Sequence, residues 1–306
     1  MDFSFSPEQQ AVTKAARRIF DDFTRPERRT EVDAQDRRFD PELWRELANA
    51  DLLGIAIPGE FGGSGQGFGE LCVLLEEAGR SVAPVPLYPT LVLGATPIVK
   101  YGTDEQRRRI LPDVVSGEVK LSAALAEPGQ SDPTRPSTTA TPDGARWRID
   151  GEKTLVSWAP LSERIIIPAA TGDASVGVFL VDPAGPGVEV RPVNTTSGEP
   201  HADLTLSGAV VEAGDVLGDP AAGGETVSCL HLNALVGLCA LQLGVSQRAL
   251  RLAAEYVTAR EQFGRPIGSF QAVQQRMADA FIAVEAMRWT TWQAVWRIAE
   301  EMPATR

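Results

Sequence analysis

Residues 258–271 read TAREQFGRPIGSFQ and break what is otherwise one long helix-period region. The run before the break, LHLNALVGLCALQLGVSQRALRLAAEYVTAR, and the run after it, SFQAVQQRMADAFIAVEAMRWTTWQAVWRIAEEM, repeat apolar residues at the spacing of buried helices. Each predicts a helix on the order of 40 Å long, of the kind that packs in a bundle or across a subunit interface. At the break, Arg260 ends the first helix, Gly264, Pro266 and Gly268 make a tight connection, and Ser269 is the expected cap of the second. Arg260 and Gln271, projecting from such a corner beside Phe263, can grip a phosphate or an adenine. From the residues alone, an Arg that only satisfies the helix's C-terminal carbonyls accounts for the corner equally well.

Working back toward the N-terminus, the pattern changes twice. Residues 121–222 hold short β-branched runs, RWRIDGEKTLVS, ERIIIPAA, VGVFLVD and VEVRPV, separated by Gly, Pro and Asp turns. Their alternation and spacing predict a β domain, an antiparallel barrel or sandwich. Residues 1–120 return to the helical period. Ser6, Pro7 and Gln9 supply an N-cap, an N1 proline and a capping-box partner, and Val12, Ala16, Ile19, Phe20 and Phe23 form one apolar stripe. Asp40 and Pro41 open a second helix carrying Leu43, Trp44 and Leu47, and Thr103 with Gln106 opens another. The expected fold is α+β and multidomain, with an N-terminal helical domain, a middle β domain and a C-terminal helical domain from residue 223 to 306. The Gly-rich GEFGGSGQGFGE at 59–70 has no G-x-G-x-x-G register and is read as a flexible turn between helices.

Composition narrows the function classes. The 306 residues are 43% hydrophobic, enough to bury a full core. A formal charge of -12 with a pI near 4.8 argues against nucleic-acid binding, which needs a clustered basic excess. The basic run Arg107–Arg109 is read as a solvated helix face. Cys72, Cys229 and Cys239 show no paired spacing, and His201 and His231 lie far apart, so neither a disulfide framework nor a metal site is expected. No basic n-region with an apolar stretch opens the chain and no run of about 18 uncharged apolar residues occurs, so a cytoplasmic protein outside the membrane is expected. Neither G-x-x-x-x-G-K-[ST] nor G-x-S-x-G is present.

The order helix, β, helix, together with REQFGRPIGSFQ, resembles the acyl-CoA dehydrogenase family. MDFSFSPEQQAV is similar to that family's opening helix, IPGEFGGSG to its P-E-x-x-G-G-x-G turn, LSAALAEPGQSD to the entry of its β domain, and IDGEKTLVSWA to its flavin-side strands. The resemblance covers essentially the whole chain. It implies an FAD cofactor, with Arg260, Phe263 and Gln271 on the pyrophosphate and adenine side of an FAD whose flavin sits in a neighbouring subunit. Ala126 stands where the family usually has a flavin-bonding Thr, Ser157 keeps a hydroxyl where it often has Thr, and Leu155 stands where an aromatic commonly covers the ring. The implied flavin-side pocket is weakened.

The family's chemistry, α,β-dehydrogenation of an acyl-CoA, needs a carboxylate to take the α-proton while the flavin accepts the β-hydride. The resemblance places that base beyond Arg306 or, in a minority of the family, at the position of Ala234, which cannot take a proton. Glu255, Glu261 and Glu285 lie on the long helices but read as surface solvation. RFDPELWRELANADLLG and TTWQAVWRIAEE are similar to actinobacterial heteromeric dehydrogenases of steroid side chains. The resemblance therefore implies a base-lacking subunit of an α2β2 assembly, acting on a bulky acyl-CoA and passing electrons to an electron-transfer flavoprotein. Open beside it stand a self-sufficient homotetramer with its base beyond Arg306, a flavin-dependent monooxygenase or oxidase, and a non-catalytic structural partner.

Overall fold

Ser6 caps the first helix as its spacing predicts. Its Oγ accepts from the Gln9 N–H at 3.2 Å and the Gln9 Oε1 accepts from the Ser6 N–H at 3.1 Å, closing a capping box. The computed structural model describes residues 4–35, 37–130, 132–172 and 175–302. These fold as α1 (Pro7–Phe23), α2 (Pro26–Asp33), α3 (Pro41–Asn49), α4 (Phe68–Ser81), α5 (Thr96–Tyr101) and α6 (Asp104–Val115). Seven strands follow: β1 (Leu121–Ala123), β2 (Thr139–Asp143), β3 (Arg146–Ser157), β4 (Arg164–Ala170), β5 (Val176–Val181), β6 (Val188–Val193) and β7 (His201–Glu212). The long α7 (Gly224–Ala259), a two-stranded turn β8 (Glu261–Gln262) and β9 (Arg265–Pro266), and α8 (Gln271–Ala299) complete the order.

Helix α2 is a correction, because the helix opened by Asp40 is the third. Its sequence PERRTEVD buries only Val32, so no apolar stripe announces it. Residues 88–95 form a π-helical segment that runs into α5. The Leu91 carbonyl accepts from both the N–H and the hydroxyl of Thr96, the hydroxyl at 2.9 Å, at the five-residue spacing of a π turn. The Gly-rich stretch is also not flexible. Its backbone N–H groups at Ser64, Gly65 and Gln66 donate to the carbonyls of Gly54, Ile57 and Ile55 at 2.9–3.0 Å. A Cβ on Gly63 would stand 2.0 Å from the Ile57 oxygen, so glycine is there for close backbone approach.

The chain packs as two compact units. The first comprises Met1–Arg25, Gly67–Ala83 and Val236–Arg306. Here α4 is buried along most of its length and meets α7 at two reciprocal glycines: a Cβ on Gly79 would lie 2.0 Å from the Leu241 oxygen, and one on Gly244 would lie 1.9 Å from the Glu76 oxygen. Trp292 of α8 donates its Nε1–H to Glu76 at 3.2 Å and takes the Phe5 ring edge-on at 4.7 Å. Arg17 and Arg80 both pair with Glu77 of α4.

The second unit, Pro26–Gln66 and Pro84–Leu235, holds the sheet. Its strand order is β1-β4-β2-β3-β7-β6, with β5 on β4. The sheet is mixed rather than purely antiparallel, since β4 pairs parallel with β1 and with β2. Strand β4, RIIIPAA, is buried along its length, as a strand covered on both faces must be. Ile149, Val156, Ile165, Ile167, Phe179, Leu204 and Leu206 form the core beneath it.

Arg109, read as part of a solvated face, pairs with Asp215, while Arg107 pairs with Asp104. Against the expectation of no such run, helix α7 contains an 18-residue window of mean hydropathy 1.6, long and apolar enough by composition to cross a bilayer, and half of that window is buried inside the protein.

Candidate cofactor site

Strand β3 carries two of the expected flavin-side positions, and two β-bulges decide where they point. Opposite Asp203 of β7, the register jumps from Lys153↔Leu204 to Val156↔Ala202, so Thr154 and Leu155 face one residue. Lys153 and Val156 are therefore both buried although three residues apart, and Leu155 (54% exposed) and Ser157 stand away from the core. Leu155 sits in the left-handed region at φ 51°. Asp203 holds it there, accepting from the Leu155 N–H at 3.0 Å and the Thr154 hydroxyl at 2.8 Å, while Arg191 donates to the other oxygen at 2.7 Å. These donors, the Leu155 N–H first, keep the Asp203 carboxyl below its usual range.

Ala126 lies beside this bulge, its carbonyl accepting from the Thr154 N–H at 3.0 Å. The next residue, Glu127, is buried and accepts from the buried Lys153 ammonium at 2.6 Å and from the Thr138 N–H at 3.1 Å. Burial alone would raise the Glu127 carboxyl; the ammonium and the Ser137 N–H outweigh it and hold it at about 2. Burial pushes the Lys153 ammonium down, opposed by Glu127. Asp203, Glu127 and Lys153 were not singled out from the sequence; the D and K of IDGEK and HAD signal nothing until the strands are paired. Ser131 of the GQSD stretch lies outside the described residues.

The helical corner is built differently. Ala259 is the last residue of α7, and the Arg260 N–H still donates to the Tyr256 carbonyl at 2.8 Å. Phe263 (φ 55°) and Gly264 (φ 76°) form the two-residue loop between β8 and β9, the geometry of a type I′ turn. The Ile267 N–H returns to the Arg260 carbonyl at 2.8 Å and closes the corner. Ser269 does not cap α8: its hydroxyl donates to the Pro266 carbonyl at 2.7 Å, and Phe270 is the N-cap residue with no side-chain bond.

Arg260, Phe263 and Gln271 are all exposed, Phe263 at 93%. Among the described residues, Arg260 and Gln271 make no side-chain hydrogen bond or ion pair, so Arg260 is not spent on helix carbonyls. The surrounding surface of α7 and α8 bares Leu238, Leu252, Tyr256, Phe281, Ile282 and Trp289. An exposed cation and amide without side-chain partners among the described residues, beside an exposed aromatic face, suit a ligand bearing phosphate and a planar base.

The alternative base position implied by the resemblance carries no acid. Ala234 is buried on α7, and its carbonyl accepts from the Tyr88 hydroxyl at 3.1 Å. Glu255 pairs with Arg251 on an exposed face of α7, Glu285 pairs with Arg288 on a half-buried face of α8, and Glu261 lies in the exposed β8. Two surface cavities of about 530 and 600 Å³ contain none of Ala126, Leu155, Ser157 or Ala234. Among the described residues no cluster of three His, Cys, Asp or Glu could hold a metal.

A helical segment, a bulged mixed sheet and a long-helix corner offering Arg, Phe and Gln are the parts of an FAD-dependent oxidoreductase scaffold. Family models agree along the chain: the acyl-CoA dehydrogenase N-terminal domain at 6–118, middle domain at 122–208 and C-terminal domain at 230–306. The chain belongs to the acyl-CoA dehydrogenase family. Among its relatives is acyl-CoA dehydrogenase FadE27 of Mycobacterium tuberculosis, 37% identical over all of this chain and 80% of that one. Among solved structures, a variant of the Tcur3481–Tcur3483 steroid ACAD is 44% identical, covering 96% of this chain and 78% of its own, with a TM-score of 0.89. The ChsE4–ChsE5 complex from Mycobacterium tuberculosis is 36% identical, covering 99% and 81%, with a TM-score of 0.93. FAD is the cofactor, and the enzyme is an oxidoreductase of the acyl-CoA dehydrogenase kind. The corner fits the adenine and pyrophosphate half of FAD. The flavin-side strands fit the ring less well, with no hydroxyl at Ala126 and no aromatic at Leu155.

Proposed function

We propose that this chain is the base-lacking subunit of a heteromeric, α2β2 acyl-CoA dehydrogenase acting on a bulky acyl thioester, with a steroid side chain as the acyl class. The observation that carries this reading is the contrast between an intact, outward-facing Arg260–Phe263–Gln271 corner and a bulge of β3 that has Leu155 and the neighbouring Ala126 where a ring-covering aromatic and a hydroxyl are expected. Two of the similar solved structures are named for paired components, and one of them for a steroid ACAD, which supports the same reading.

In that assembly Arg260 pairs with the pyrophosphate, Phe263 lies against the adenine and Gln271 donates or accepts at its edge. FAD, when bound, supplies the hydride acceptor for the β-carbon. On this reading the α-proton would go to a carboxylate of the second subunit, and Ala234 itself offers no acceptor for it. Buried Ala234 and the Tyr88 hydroxyl on its carbonyl keep that stretch of α7 uncharged. An electron-transfer flavoprotein is the expected acceptor.

One observation favours a second reading. The Ser157 hydroxyl makes no bond to a described residue and faces away from the core, free to bond a flavin in this chain's own pocket. That describes a self-sufficient dehydrogenase.

Native mass spectrometry of the chain alone, and of the chain co-expressed with a second acyl-CoA dehydrogenase homologue, separates the two. FAD at half the number of subunits, present only in the mixed complex, is the expected result. One FAD per protomer of the chain alone sinks the heteromer.

A further inference from the structure

The corner contains a second cation with no ion pair. Arg265 stands exposed on β9, directly after the Phe263–Gly264 turn, and its side chain makes no hydrogen bond or ion pair with a described residue. Its guanidinium carbon lies 4.2 Å over the centre of the Phe270 ring. The Phe270 ring in turn meets Phe263 at 6.2 Å and 88°, edge to face. Arg265, Phe270 and Phe263 thus form a ladder of three planar groups that starts at the hairpin, crosses to the first turn of α8 and returns to the hairpin tip.

The ladder solves a definite problem. Phe263 is 93% exposed and sits at the tip of a two-residue turn, where a side chain ordinarily turns freely among its rotamers. A ligand that stacks on it would have to immobilise it, which weakens binding. The Phe270 contact restricts the ring before any ligand arrives. Phe270 occupies the N-cap position of α8 and makes no side-chain capping bond. The planar guanidinium above fixes the other face of Phe270, a task suited to Arg and not to the compact ammonium of Lys.

We propose that Arg265 is a positioning residue for the cofactor corner: stacked on Phe270, it holds Phe263 in place for the adenine half of FAD without itself contacting the phosphates. The proposal rests on the corner reading given above.

The test uses the FAD-loaded assembly as purified, with R265A, R265K, F270L and R260A compared for FAD occupancy by native mass spectrometry and for displacement of FAD by ADP. ADP carries only the adenine and pyrophosphate, so it reports on this corner apart from turnover. R265A, R265K and F270L are each expected to weaken FAD and ADP by about three- to tenfold, with a loss independent of salt concentration. If R265K restores full affinity, or if the R265A loss shrinks as salt rises, Arg265 acts as a charge on the phosphates and the positioning role is overturned. If R260A lowers FAD occupancy while R265A and F270L do not, the positioning role alone is overturned. If R260A also leaves occupancy and ADP affinity unchanged, the corner reading falls and takes the proposal with it.

Discussion

Asp150 and Asp203 each pin a bulge on the strand opposite their own. Asp150 of β3 accepts from the Gly208 N–H at 2.7 Å, where β7 carries the extra residue and Gly208 turns to φ 63°. Asp203 of β7 accepts from the Leu155 N–H at 3.0 Å, where β3 carries it. A bulge leaves an N–H without a ladder partner, and in both places an aspartate oxygen takes it. The bulge in β3 keeps Val156 on the inward face with Ile149 and Lys153, and the bulge in β7 does the same for Ala209 with Leu206.

Removing the second pin tests its strength. Asp203→Ala leaves the Leu155 N–H and the Thr154 hydroxyl without their acceptor and is expected to destabilise by about 2 kcal/mol, whereas Asp203→Asn keeps one acceptor oxygen and costs less. Urea unfolding of both variants checks the order.

The strain at Leu155 makes an opposite prediction. A left-handed leucine costs roughly 1–2 kcal/mol, of which glycine would recover the larger part against its own entropy cost, so Leu155→Gly is expected to be neutral or stabilising by up to about 1 kcal/mol. A fall in the unfolding midpoint beyond that of a surface substitution would show the strained conformation is held by side-chain contacts instead.

The buried Glu127–Lys153 pair predicts both a mutational pattern and a pH dependence. Glu127→Gln strands the Lys153 charge and is expected to cost about 3–5 kcal/mol, while the double change Glu127→Gln with Lys153→Met recovers much of it. Because the folded-state Glu127 carboxyl sits at about 2, below its unfolded value, its contribution is complete above roughly pH 4.5 and is lost as pH falls toward 2. Acid titration of stability should be flatter in this window for the double variant.

Gly244 and Gly79 allow α4 and α7 to touch backbone to backbone. Gly244→Ala would drive a methyl against the Glu76 carbonyl, and a loss of about 2–3 kcal/mol in thermal or urea unfolding is expected. An unchanged stability would mean the helices separate at little cost.

The apolar residues on α7 and α8 predict an assembly surface. Exposed clusters of this kind mark interfaces, so Phe281→Asp with Ile282→Asp should shift native mass spectra toward monomers without lowering the unfolding midpoint of the isolated chain. Unchanged oligomers would place the interface elsewhere.

Much of this protein was legible in its order of residues. The three-part alternation of helix, sheet and helix, the capping boxes at Ser6 and Thr103, the strand RWRIDGEKTLVS and the break between the two long C-terminal helices could all be read directly. Each depends on periodicity or on groups within four residues of one another, and such information is local. Tertiary structure alone decided the parallel pairing of β1 with β4, the bulges pinned by Asp150 and Asp203, the Glu127–Lys153 pair, the glycine crossing of α4 and α7, and the Arg265–Phe270–Phe263 ladder. Those features arise where residues distant in the chain, or on two elements across a turn, meet in one register. A single register step moves a side chain from the core to solvent, and no local pattern specifies it.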